Sequence, residues 1–138
     1  MTEPATTRTL AAASLVLEIT TAAAGERDLD AILRSTLDRL RGVVSFTGGS
    51  IALVDGDDLV IRAAVGPFEA EALGQRLTRG PSRSWRVIDE RTTVRIDDLR
   101  GDGVHAPGTP APSGMRSWLA VPIERRGVAV GLLEVDST

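Results

Sequence analysis

The sequence predicts one mixed α/β domain, and three stretches carry the prediction. Leu29, Ile32, Leu33, Leu37 and Leu40 recur at three- and four-residue spacing, the mark of a helix with one buried face. SIALVDGDDLVIRAAVG sets two β-rich runs, 50 to 54 and 59 to 65, about Asp55-Gly56-Asp57. GMRSWLAVPIERRGVAVGLLEVD, residues 114 to 136, repeats that arrangement about Arg125-Arg126-Gly127. A helix followed by two hairpins, with helical segments between them, gives an alternation of α and β elements.

The first element runs from Thr7 to about Ala24, an Ala/Leu-rich stretch that reads as a helix. Its apolar residues Leu10, Leu15, Val16, Leu17 and Ile19 spread around the axis, because each step turns about 100°, so one sheet face is not enough to cover them. Ala11, Ala12 and Ala13 leave room for close helix approach, and a symmetric second copy is the simplest cover, so we expect a homodimer through this helix. A frayed first helix on a monomer is the alternative. Gly25 ends the element, and Asp28 is placed to cap the second helix, which stops at Gly42. In the first hairpin, small polar residues at Asp55-Gly56-Asp57 suit a tight turn with positive φ at the glycine.

PFEAEALG is long enough for a short helix at most. SRSWRVIDE is a better helix, with Ser82 as its cap, Trp85 and Ile88 on one stripe and Val87 beside it. TTVRID, 92 to 97, reads as a strand. Residues 98 to 114 hold four glycines and three prolines without a usable period, which predicts an irregular segment: a lid, a binding loop or a disordered connection. Pro122 lacks an N–H, so its strand is at an edge there, carries a bulge, or places the proline where no ladder bond is needed.

Composition narrows the function. At 138 residues the chain makes a single domain over 1 to 138, large enough for a core of its own. It has no cysteine, so disulfides, thiolate metal sites and thiol nucleophiles are all removed, and a reducing cytoplasm fits. Its 16 basic residues are all Arg, interspersed with 19 acids for a net charge of -3, which is not the footprint of a nucleic-acid binder. No apolar run reaches a membrane span and the N-terminus carries Glu3, not a basic region before an apolar one, which argues against a spanning segment and a secretory leader.

The order of elements, and above all Val94-Arg95-Ile96-Asp97-Asp98 followed by Met115-Arg116-Ser117 and Leu119-Ala120-Val121-Pro122 leading to Gly127 and Gly131, resembles a GAF domain, the small-molecule sensory module of signalling proteins. The resemblance covers roughly residues 10 to 137. It implies an α/β (α+β) fold: a central, mainly antiparallel sheet of five or six strands, helices on one face, and on the other a pocket closed by a short helix and the long connection. Residues 1–9 are expected to be a flexible lead and 10–24 the N-terminal helix; members of the family usually continue into a long C-terminal signalling helix, and the sequence departs from that pattern by stopping at Thr138, so the module is expected to be a fragment or to signal by association, with an output domain, kinase or phosphatase as partner. The expected function is non-catalytic sensing or regulation, by binding a small molecule or by dimerising. The alternatives are a purely structural dimerisation or interaction domain with a vestigial pocket, and a haem-binding gas or redox sensor through His105.

Family activities sort by the chemistry they need. Free methionine sulfoxide reductases of this fold use a cysteine redox cycle and covalent bilin attachment uses a cysteine thioether, and there is no cysteine for either. The Asn-Lys pair of cyclic-nucleotide-binding members is missing as well. Haem has one available ligand, His105, the only histidine, in the long loop; a solvated polar residue is the commoner fate of such a side chain, and we expect no haem. The acids Asp97, Asp98 and Asp102 near His105 lack defined ligand spacing, and no metal is expected. From their positions in the resembling segments, the pocket residues are expected to be Trp85 and Val87 on the short helix, Ile96 and Asp98 after it, His105 in the lid, and Met115, Ser117 and Trp118 at the closing hairpin. Trp118 is read first as plain core, since aromatic side chains bury large areas. Arg62 and Arg95 offer counter-charge to an anionic ligand, or simply lie on the exposed face of a strand.

Overall fold

A computed structural model of the chain describes residues 6–14, 26–99 and 115–138. Helix α1 occupies residues 6–14, followed by α2 (Glu26–Arg41), β1 (Gly48–Asp55), β2 (Asp58–Val65), α3 (Glu69–Ala72), β3 (Arg76–Thr78), α4 (Arg83–Glu90), β4 (Val94–Ile96), β5 (Ser117–Arg125) and β6 (Val128–Ser137). The six strands form one antiparallel sheet in the order β3-β2-β1-β6-β5-β4. The two hairpins found in the sequence thus lie side by side, joined where β1 pairs with β6, Ile51 opposite Leu133.

Strand alternation sorts the side chains between two faces. Leu133 and Val135 of β6, Leu119, Val121 and Ile123 of β5 and Ile51 of β1 face α1 and α2, meeting Leu10, Leu33, Leu37 and Leu40 in one core. Leu132, Trp118, Ala120 and Ala52 face the other way, onto Trp85, Val87 and Ile88 of α4. A bulge in β2 moves the partner of β1 from Ala63 to Ile61, skipping Arg62. Both Ala64 and Ile61 thereby stay on the α4 side, while Arg62 turns to α2 and pairs with Asp30 at 2.8 Å.

The turn at Gly56 has φ +61°, as its composition predicts. Ser82 caps α4, its hydroxyl accepting from the Trp85 N–H at 3.1 Å. Pro122 resolves to an edge position: β4 pairs with β5 only as far as Ala120, and the Pro122 carbonyl accepts from Ser14 Oγ at 2.6 Å. In an extended strand one residue's N–H and C=O point the same way, so the missing donor also faces that open edge.

The structure departs from the sequence-based expectations in four places. Helix α1 is already formed at residue 6, inside the stretch expected to be a flexible lead, because Thr6 and Leu10 are buried and hold it down. Residues 15–25, including Leu17, lie outside the described residues, as does the loop from 100 to 114 with Asp102 and His105. Helix α2 reaches back to Glu26, which puts Asp28 inside its first turn and not at the cap; Glu and Arg are good helix formers, so nothing local stops the helix at Asp28. The strand expected over 92 to 97 is only Val94–Ile96. β3 was not anticipated, since Arg76-Leu77-Thr78 is too short to show a period.

Candidate functional site

A cavity of about 370 Å³ opens on the α4 side of the sheet, between the ends of β1, β2 and β6 and the short helix α3. Its walls are largely apolar: Ile61 and Ala64 from β2, Pro67 and Phe68 from the turn before α3, Ala72 from α3, and Met115 just before β5. This volume falls in the range of small-molecule sites. Gly66 shapes one wall: its φ is +113°, and a Cβ there would meet Gly48 Cα and Thr47 O, both at 2.8 Å. Only glycine lets β2 turn so close to β1. Helix α3 is tied to α2 by Arg34 Nη1 and Glu69 Oε2 at 2.9 Å.

The floor is acidic. Glu134 and Asp136 are two residues apart on β6, so the strand's period of two aims both at the cavity, beside Ser50 and Gly48 of β1. Glu134 is held on both oxygens: Ser50 Oγ donates to Oε1 at 2.5 Å and Trp118 Nε1 to Oε2 at 2.7 Å. Arg83, the first residue of α4, stands over the Trp118 ring, 5.3 Å from its centroid. Burial lifts the Glu134 carboxyl above the ordinary range, against the opposing pull of its two hydrogen bonds and the Arg83 charge. Asp136 is pushed up to about 7 by burial first and by the charge of Glu134 second, with a hydrogen bond from Gly48 acting the other way. Glu134 and Asp136 are neighbouring carboxyls whose protonation is coupled, so the proton on Asp136 is governed in part by the charge on Glu134.

Of the residues expected from the sequence to form a pocket, Met115 lines this cavity and Trp118 orients its floor while itself buried in the core. Trp85 and Val87 are fully buried beneath α4, Trp85 with its Nε1 on the Leu77 carbonyl at 3.1 Å and Arg79 over its ring, and neither lines the cavity. Ile96 and Asp98 border a separate shallow depression beside β4, where Asp98 is exposed. Ser117 is half-buried opposite Ser137 at the start of β5. His105, and with it the haem expectation, lies outside the described residues. Arg95 pairs with Asp97 at 2.8 Å, so neither it nor Arg62 supplies charge to the cavity.

Glu134, Asp136 and Ser50 escaped the sequence reading, although a signal was present. VAVGLLEVD is a strand whose neighbours are apolar on both faces, which leaves no solvent side for two acids at alternate positions. Acids in that pattern need an internal polar space.

A six-stranded antiparallel sheet with helices on both faces and a half-buried acidic floor under a short helix defines a small pocket-bearing α/β domain. The profile of the family described as GAF domain matches residues 26–138, and the chain belongs to that family. GAF domains are commonly sensory or regulatory modules of signalling proteins. Among solved structures it is similar to the A. aeolicus nlh2 GAF domain in an inactive state, with TM-score 0.71, 19% identity, and 93% of this chain and 81% of that one covered. The GAF domain of a two-component sensor histidine kinase from Bacillus halodurans gives TM-score 0.67, 23% identity and coverages of 79% and 76%. The free methionine-R-sulfoxide reductase from Neisseria meningitidis, solved in complex with its substrate, gives TM-score 0.68, 25% identity and coverages of 91% and 71%. No curated protein matches the chain. Among the described residues, no helix is long and apolar enough to cross a membrane.

Proposed function

We propose that the domain is a non-catalytic sensory or regulatory module that binds a small organic molecule in the cavity beneath α3. The observation that supports this most is Glu134, a half-buried carboxyl held by Ser50 and Trp118 at the floor of a cavity with largely apolar walls. A pocket that had become mere core would lose by keeping such a group, because burying a charge costs free energy that an apolar residue of the same size avoids. Preorganised polar groups in an apolar hollow are instead what a ligand site requires. The Neisseria relative is an enzyme acting on free methionine sulfoxide. With no cysteine in these 138 residues, the thiol chemistry of such reductases has no nucleophile here, which favours binding without turnover. A cytoplasmic setting and an output partner, a kinase, phosphatase or attached domain, belong to the same reading.

The test is thermal-shift screening of a metabolite library on the wild type and on Ala72→Phe, which fills the cavity from α3. A ligand that binds only the native state raises its melting temperature. Compounds that stabilise the wild type and lose that effect in Ala72→Phe are expected. A library without any stabilising compound, or stabilisation unchanged by the filled cavity, overturns the reading and favours a vestigial pocket in an interaction domain.

A further inference from the structure

We propose that the ligand is a compact organic cation, an amine carried on an apolar body, with Asp136 and Glu134 as its counter-charge and a proton released as it binds; this rests on the small-molecule reading above. Charge around the cavity points one way. Glu69, Glu71, Glu134 and Asp136 line it, and among the described lining residues there is no Arg, Lys or His. A phosphate or carboxylate ligand would therefore enter against acids without a basic partner. A neutral apolar ligand would leave the two floor carboxyls dehydrated beneath it, which is costly. An ammonium group satisfies them, and the walls of Ile61, Ala64, Phe68 and Met115 cover the rest of the molecule. The space, about 370 Å³, is ample for a small amine with an apolar body.

The two floor acids differ in freedom. Both Glu134 oxygens already accept hydrogen bonds from protein groups, whereas Asp136 takes one backbone bond from Gly48. Asp136 is accordingly the direct contact, and Glu134 the oriented carboxyl behind it. Because Asp136 exchanges its proton at about pH 7, an incoming cation beside it displaces that proton. The groups that set this balance are Glu134 and Asp136 on β6, Glu71 and Glu69 on α3, the latter paired with Arg34 of α2, and Arg83 from α4 acting on Glu134; β1 and the residue before it contribute only the uncharged Thr47, Gly48, Gly49 and Ser50. Binding should tighten as pH rises through about 7, while an alkylamine stays charged to about pH 10.

The probes are n-hexylamine and 2-phenylethylamine, each with its N-acetyl amide and its carboxylate counterpart, measured by calorimetry on the wild type and on Asp136→Asn. The amines are expected to bind about tenfold or more tightly than either counterpart, and Asp136→Asn to lose about tenfold for the amines alone, the size of one half-buried charge contact. Affinity for the amine should rise from about pH 6 to about pH 8, and the heat should differ between phosphate and Tris buffers in the sense of proton release. A neutral or anionic probe that binds as well as its amine overturns the cation assignment and leaves the small-molecule reading standing. Failure of every amine, with neutral library compounds stabilising the wild type through the cavity, does the same. If no compound of any charge binds, both readings fall. Should Asp136→Asn unfold, Glu134→Gln replaces it in the same comparison.

Discussion

Asp136 is held where its charge is unwelcome, and the consequence is measurable. Its folded-state pKa, about 7, lies above the ordinary value of 3.8, so the native chain binds the extra proton between those limits. Stability from this group is fully present below about pH 4 and is lost as pH rises through about 7. Asp136→Asn should therefore stabilise the protein by a margin that grows over that interval and then levels. The side chain keeps part of its exposure, so we discount the full shift and expect about 1 kcal/mol or somewhat more at pH 8, a rise of roughly 4 °C in melting temperature. Melting curves from pH 4 to 8 check it; a gain independent of pH contradicts it. Trp118→Phe keeps the ring and removes the donor to Glu134 Oε2. Leaving a buried carboxylate short of one partner should cost about 1–3 kcal/mol in chemical denaturation and push the Glu134 carboxyl further up. Here chemistry, not volume, decides the loss.

Among the elements, α4 and the β2–α3 turn do most to hold the pocket side together. α4 has eight residues, too few to persist alone, so its cap and its three buried side chains decide whether it forms. Ser82→Ala should lower stability by about 1 kcal/mol, read as a lower melting temperature with the fold retained. Gly66→Ala should cost more, because the added Cβ strikes the β1 backbone and the φ is one that alanine resists. Loss of the cavity's ligand binding at temperatures where the variant is still folded is the accompanying expectation. The exposed ion pairs such as Arg86–Glu90 contribute little by comparison.

For the whole molecule, the open question with a direct answer is assembly. The described part of α1 buries Leu10 against its own sheet while Ala11 and Ala12 face outward, a small-residue surface over which a second helix can approach closely. We expect a homodimer through this helix, seen as a doubled mass by light scattering across a dilution series and weakened by Leu17→Glu. A monomer mass at all concentrations, unchanged by the added charge, contradicts it.

What the sequence by itself determined was the set of local structures whose signals span few residues. The leucine spacing of α2, the Gly56 turn, the Ser82 cap and the closing hairpin were all legible, because period and turn chemistry act between neighbours. The order of those elements was enough to reach the family. What only the tertiary structure decided was which side chains share a space. Glu134, Ser50 and Trp118 meet through strand pairing across β1, β6 and β5, over sequence separations of 84 and 16 residues. Trp85 and Val87 went to the core instead, since α4 lies with its apolar stripe flat on the sheet and not on the cavity beside it. Whether an acid on a strand meets water, a core or a cavity depends on what packs over that strand, and neighbours in sequence do not carry that information.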